Sequence, residues 1–509
     1  MNIWWSLNRK IHISWQMAAV FTGILGGIGL SLLPGTAVFA EWYWLVLVVG
    51  LLILAFIKQK RWMLMFSLIA GMLIGMFRGT IERVELNAYS GLIGINIELT
   101  GTVFEDPSFG FGSDIRIRLT DTSVEGNKLP GQVWVSVIGV RTDIKRSDIV
   151  TVSGKLKSGF GTFPASMNYA KLVNLESIPG ADPAREMRDD FGEKLEDVIT
   201  QPAENLGMGI LAGQKTALPN DVSEAFRIAG LTHIVVASGY NLTILIRFAR
   251  RLFSKISRFA ALLGAGGLML SFAFVTGFSP SMTRAVMVAG ISLITWFYGR
   301  KFHPVILILF VAATTAMINP YYLWGDAGWY MSFSSFAGVI ILAPLIQDYF
   351  FGNSTSEKPD PTKNKLKTTI KNKIKNFFTS FRQIFIETTS AQILTTPIIV
   401  IFLGQFAPYG LLANLLVLPI VPLTMLLTFI AGVTSWILPG IAEIVAWPAQ
   451  KLLDYIIWVS AQVSKLPNAV HEVELSIFGL LALFGVVILV MFYMQRRTKH
   501  SFRENNVIE

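Results

Sequence analysis

Arg284 follows the tetrapeptide Ser279-Pro280-Ser281-Met282 and stands between two apolar runs, 259–278 and 285–298. A guanidinium near hydrocarbon is expensive and normally faces a partner or a water-filled cavity, so it is a functional-site hypothesis by default. The proline beside it removes a backbone donor, and a break of this kind is tolerated at membrane depth only inside protein or along a cavity. Pro280 is placed to open the next helix, with Ser279 near its cap and Ser281 beside it. A fresh helix N-terminus presents free N–H groups, and Arg284 adds a cation a turn further on. Together they attract an anion and suit a phosphodiester backbone. A plainer account lets Arg284 snorkel to the headgroup layer.

Two similar polar breaks interrupt the same apolar domain, at Ser238-Gly239-Tyr240-Asn241 and at 326–335. His233 and Ser238 are five residues apart, poorly aligned on one continuous helix, and Gly239 permits a bend. Ser238, Tyr240 and Asn241 fit the wall of a polar cavity. Helix contact through small residues fits them as well. A hydrolytic Ser238–His233 pair lacks an evident acid and a nucleophile-elbow pattern. Asp326 either pairs with Arg284 or caps its own helix, the more economical reading, and Ser332 follows on the same stretch. Asn414 precedes Pro419 and Pro422. The two prolines make a discontinuous helix beside a pathway, or a simple kink. Three polar breaks among apolar spans suggest a route for something polar across a membrane.

The elements that hold these residues are apolar. Of 509 residues, 52% are hydrophobic and 15% charged, with a mean hydropathy of +0.54; a soluble protein carries about 25% charged residues. The apolar residues gather in runs of roughly 16–25, the length that crosses a bilayer as helix. The expected fold class is a polytopic α-helical membrane protein of about twelve spans. Cysteine is absent, which excludes disulfides and thiolate metal sites. The net charge of +10 sits mostly in loops, where the positive-inside rule accounts for it without a nucleic-acid ligand. The first apolar run is too long for a signal-peptide core and reads as a first span.

Segment 1–80 holds three expected spans. Segment 86–180 is polar and alternates at 97–103, 115–119, 133–137 and 150–156, with turn-rich stretches between, including Thr142-Asp143. It reads as an inserted extracytoplasmic small β-barrel of OB type, with a generic sandwich as the alternative. Its acids and bases nearly balance, so it lacks a basic groove. Phe109, Phe111, Trp134 and Phe160 could stack bases, and core packing is the more economical reading. Segment 188–226 reads as an amphipathic or re-entrant surface element. Segment 227–496 carries nine further expected spans, among them 228–246. Within it, 352–383 is a Lys-rich loop read as mobile and cytoplasmic, and 497–509 is a tail. With the N- and C-termini in the cytoplasm, the basic clusters from Arg9-Lys10 to Arg496-Arg497, including Arg300-Lys301, all fall inside and the barrel falls outside.

Taken in order, these blocks resemble the membrane domain of the ComEC-type competence family. The family's Gly-Leu-x-His-(apolar)-Ser-Gly-x-His stretch is matched at 230–241, and its Gly-x-Ser-Pro-Ser-x-x-Arg-Ala block at 277–285. An Asp followed by a Leu-Ser-Phe-like segment is matched by Asp326 and Met331-Ser332-Phe333, and an Asn-Leu-(apolar)-Pro segment by 414–419. The barrel is similar too, with Gly154-Lys155-Leu156 near its end and Asn168-Tyr169 after it.

The resemblance implies a channel in the bacterial plasma membrane that conducts single-stranded DNA into the cytoplasm during natural transformation. It implies His233, Ser238, Tyr240, Asn241, Ser279, Ser281, Arg284, Asp326, Ser332 and Asn414 as residues of the DNA path, with membrane lipid around them. No cofactor, metal or enzymatic activity is expected. Asn241 departs from the family's second histidine, and Gln214 stands where an acid is common. Many members carry a C-terminal metallo-β-lactamase-like domain. This chain, with five His and no His-x-His-x-Asp-His cluster, cannot form that binuclear site. A separate nuclease, a DNA receptor and a cytoplasmic helicase or motor are the expected partners. The alternatives are a transporter of a small anionic or envelope metabolite on the same scaffold, or a membrane-embedded Ser-dependent hydrolase.

Overall fold

The computed structural model describes residues 10–109, 114–138, 144–214, 218–235, 238–300, 303–352 and 365–498. Arg9, Phe111, Thr142-Asp143, Lys301, 353–364 and the tail from 499 lie outside the described residues, as does the side chain of Phe109. The chain divides into two units. One comprises Met1–Met187, Ala273–Val288 and Val305–Trp329; the other comprises Arg188–Phe272, Ala289–Pro304 and Tyr330–Glu509. Two pieces of the expected 227–496 domain therefore group with the barrel.

The first unit opens with helices α1 (Ile13–Leu30), α2 (Tyr43–Lys58) and α3 (Met63–Glu85). Glycines set the pairing of α1 with α3. A methyl group on Gly23 would lie 2.2 Å from the Leu68 carbonyl oxygen, and one on Gly71 would lie 2.2 Å from that of Val20. Gly27 and Gly75 repeat the contact one turn on. In lipid, close backbone packing of this kind drives helix association, because burying an apolar side chain there gains little. Arg83 then closes the end of α1, donating from Nη1 to the carbonyls of Ser31 at 2.8 Å and Leu33 at 2.7 Å.

Five long strands follow: β1 (Asn96–Val103), β2 (Ile115–Val124), β3 (Val133–Val137), β4 (Ile149–Ser158) and β5 (Ala165–Glu176). β1 pairs antiparallel with β2 and β4, β2 with β3, and β4 with β5, while β3 and β5 run parallel. The circuit closes into a barrel. Leu99, Ile117, Leu119, Val133, Val135, Val150 and Leu156 point into its core. Tyr89, just past α3, is buried in the same core and donates its hydroxyl to the Pro130 carbonyl at 2.6 Å. β5 is the strand that alternation does not reveal. Its pairings shift register and Tyr169 takes a φ of 59°, so its period-two pattern is lost. Trp134 and Phe160 are not core side chains, contrary to the more economical expectation: they stand outside the cluster, and Phe160 is 53% exposed.

In the second unit, helix Ala203–Ala212 is buried at nearly every position. It is not the amphipathic surface element expected within 188–226. Small residues let neighbours close in on it: a methyl on Gly209 would lie 2.4 Å from the Val235 carbonyl oxygen. Six helices among the described residues are long and apolar enough to cross a membrane, or seven if Gly410–Val417 and Val421–Ile437, bent by 49°, count as one span. That is fewer than the expected twelve. Tyr43–Lys58 and Pro304–Ile318 are apolar but shorter. The expected span 228–246 is not one helix but is divided between Thr232–Val235 and Gly239–Phe253. The basic loop 352–383 also differs from expectation. From Lys365 it is helical and continuous with the apolar stretch that follows, in one helix Lys365–Leu403; lysine is a good helix former and does not break such a run.

Candidate functional site

Helix Arg258–Thr276 ends where Gly277 (φ 79°) and Phe278 (φ 49°) turn the backbone left-handed, and helix Pro280–Phe297 then begins. The Ser279 carbonyl accepts the Thr283 N–H at 2.9 Å, and the Thr283 hydroxyl donates back to the Phe278 carbonyl at 3.1 Å. Ser279 and Ser281 share a hydroxyl hydrogen bond of 3.2 Å at the helix start. One turn in, Arg284 is only 4% exposed and donates from Nη2 to the Gly328 carbonyl at 3.1 Å. Its Nε and Nη1 are buried without a hydrogen-bond partner among the described residues. An unsatisfied buried donor costs about 1–3 kcal/mol, more when charged, so this guanidinium is built to receive an acceptor. It does not snorkel. Asp326 spends its carboxylate on its own helix start, accepting the Gly328 N–H at 2.8 Å. It thereby fixes the residue whose carbonyl holds Arg284.

The break is clamped from the barrel by residues that the sequence alone did not mark. Arg146, 3% exposed on the β3–β4 connection, donates from Nε to Asp182 at 2.6 Å. It also donates to the carbonyls of Val275 at 3.2 Å and Phe274 at 3.4 Å. A cation on the last carbonyls of a helix satisfies them and complements the helix dipole. Gly277 must lack a side chain, because a methyl there would fall 2.1 Å from Arg146 Nη1. Asp182 also accepts the Arg185 N–H at 2.9 Å. Arg185 bonds in turn to the Arg146 carbonyl and lies 3.4 Å from Asp148. Burial works to raise the Asp182 carboxyl. The Arg146 guanidinium, the Arg185 N–H and the Ser147 hydroxyl outweigh it and hold the group below the usual carboxylate range. Lys145-Arg-Ser-Asp148 reads in sequence as an ordinary charged turn, which is why these residues escaped notice.

The remaining candidates lie in the second unit. Ser238 is extended just before helix Gly239–Phe253, with its hydroxyl 3.4 Å from Asn241 Oδ1. Asn241 is 2% exposed and donates its amide to the Ile210 carbonyl at 2.9 Å. That bond ties the helix to Ala203–Ala212. Tyr240 is largely exposed, its hydroxyl 3.5 Å from the Leu418 carbonyl. His233 is exposed on a single-turn helix, and no hydrogen bond joins it to Ser238 among the described residues. Ser332 is half-buried in helix Ala327–Ala337. Asn414 is buried just before the 49° bend, with its Oδ1 unpartnered among the described residues. The structure thus brings Ser279, Ser281, Arg284 and Asp326 into one site and sets Ser238 beside Asn241.

Membrane-length helices, a closed barrel inserted among them and a buried cation at a proline break define a helical membrane protein with an anion-attracting point. A family model described as "Competence protein" matches residues 210–498, and the chain belongs to that family. Membership points to a role in DNA uptake. A curated relative, an "Uncharacterized protein" of Aquifex aeolicus (strain VF5), is 23% identical over 188 residues, which is 36% of this chain and 43% of the relative. The match therefore spans less than half of that relative's length. No solved structure matches the chain.

Proposed function

We propose that this chain conducts single-stranded DNA across the bacterial cytoplasmic membrane during natural transformation. The observation that carries the reading is the pair of buried, unpartnered nitrogens of Arg284 one turn into the helix that Pro280 opens. A passing phosphate supplies acceptors of the required charge and can take a guanidinium in bidentate fashion. The helix start adds its dipole. A single cation suits a conduit better than a dense basic lining, since each phosphate must also leave. The strand order of the barrel, with its one parallel pair, supports an OB-type domain. In this reading that domain lies outside the membrane, the termini lie in the cytoplasm and about twelve helices cross. His233, Ser238, Tyr240, Asn241, Ser332 and Asn414 serve as wall residues rather than catalysts. A separate nuclease, receptor and motor complete the pathway.

Arg284→Ala is expected to lower transformation by roughly a hundredfold, the equivalent of two lost charge-assisted hydrogen bonds of ~1.5–3 kcal/mol each, with the amount of protein in the membrane unchanged. Arg284→Lys restores little, because an ammonium cannot bind two oxygens side by side. Normal transformation by the alanine variant sinks the reading. The same lone cation also fits a small anionic metabolite, and undiminished DNA uptake in a deletion strain decides for that alternative.

A further inference from the structure

The barrel carries a second surface that Arg284 does not explain. Arg116 and Arg118 alternate along β2 with the core residues Ile115, Ile117 and Leu119, so they face outward. Register sets Arg118 opposite Trp134 of β3. The β4–β5 connection adds Phe160 and Phe163. Trp134 and Phe160 meet edge to face with centroids 5.4 Å apart, and Phe160 meets Phe163 at 5.6 Å. The Arg116 guanidinium lies 5.9 Å from the Trp134 ring centroid, and that of Arg118 lies 5.2 Å from Phe163. Asp114 and Glu105 balance the two arginines at 3.2 Å and 2.8 Å. The patch is therefore aromatic and near neutral. It suits flat π-faces better than phosphates, because stacking tolerates any base and needs no net charge.

Its place in the barrel is informative. In a small closed barrel of this strand order, the face of the second and third strands and the loop between the fourth and fifth receive oligonucleotides or oligosaccharides. The patch is also continuous with the buried cation. Gly161, between the two phenylalanines, packs on Gly325, where a methyl on Gly161 would sit 3.6 Å from the carbonyl oxygen. Asp326 is the next residue, and it holds Gly328 and through it Arg284. Tyr322 lies within electrostatic range of Arg284 and Asp326 and also of Arg118 and Glu105. One polymer that is aromatic along its bases and anionic along its backbone fits both places; a neutral sugar chain fits only the rings.

We propose that Arg116, Arg118, Trp134, Phe160 and Phe163 form a base-stacking platform for single-stranded nucleic acid and pass the strand to Arg284. The proposal rests on the DNA-uptake reading and names the surface where the strand first binds.

The test is a titration of the purified full chain in detergent with a fluorescein-labelled oligo-dT. Phe160→Ala removes an exposed ring and is expected to weaken binding roughly fivefold to a hundredfold without shifting the melting temperature. Trp134→Phe keeps a π-face and is expected to bind within about threefold of the parent. The loss in Phe160→Ala persists at high salt, whereas Arg284→Ala flattens the salt dependence, because only the latter removes a phosphate contact. Unchanged oligo-dT affinity in Phe160→Ala overturns the platform. So does binding of an anionic wall glycan, but not oligo-dT, at these rings. An Arg284→Ala strain that transforms normally sinks the channel reading alone, since the titration of the ring variants does not pass through Arg284.

Discussion

Arg146 and Arg284 are both arginines shut away from solvent, and they behave as opposites. Arg146 uses its donors on Asp182 and on two helix carbonyls; Arg284 leaves two nitrogens idle. Breaking a buried ion pair costs about 3–5 kcal/mol, so Arg146→Ala lowers the melting temperature in detergent sharply. Arg284→Leu leaves it unchanged or raises it, because it removes donors that stand unsatisfied. A larger loss for Arg284→Leu than for Arg146→Ala contradicts the assignment of an anion site. Glu204 is a second residue-scale case. Burial, and then the charge of Glu196, push its carboxyl up to about 7. A raised carboxylate pKa favours the protonated folded form, so this group's favourable state holds below the ordinary value of 4.5 and is lost as pH rises through about 7. Glu204→Gln is expected to remove that fall, stabilising the chain at alkaline pH and changing it little in acid. Thermal melts across pH decide.

At the scale of elements, the helix break was half legible. Pro280 announces a helix start from any distance, because its ring fixes φ and removes the N–H. Gly277 does not announce its partner, since Arg146 arrives from a distant connection in the barrel. Gly277→Ala is expected to displace Arg146 and impair transformation although it touches no nitrogen of Arg284; wild-type uptake with an unshifted melt speaks against the clamp. Asp182 gives the matching pH test. Its carboxyl is held below the usual range, so its stabilisation is present above the ordinary carboxylate value and is lost as pH falls through the lowered one. Asp182→Asn therefore destabilises at neutral pH, and the difference from the parent narrows in strong acid.

For the whole molecule, hydropathy and alternation conveyed the class, and geometry supplied the rest. Alternation at 133–137 turns Val133, Val135 and Val137 inward and so sends Trp134 outward. Strand period outweighed the habit of assigning large rings to cores. Alternation says which face a residue takes and not what shares that face, so the company of Arg118, Phe160 and Phe163 was invisible. Span counting suffered from the reverse problem: runs that look membrane-long in sequence break at Ser238 or stop short, as at Tyr43–Lys58. Orientation is open to a direct test, because the chain has no cysteine and any introduced thiol is unique. Lys128→Cys, on an exposed barrel turn, is expected to react with an impermeant maleimide on whole cells. Arg300→Cys, exposed beyond helix Pro280–Phe297, is expected to react only after permeabilisation. Reversed labelling overturns the proposed topology.

Barrel closure has a consequence for any protein that delivers cargo here. The circuit from β1 through β4, β5, β3 and β2 returns to β1, so no open rail of main-chain donors is left for a visiting peptide to extend. A docking factor must read the relief of side chains instead, and an inhibitor designed as an added strand has nowhere to attach.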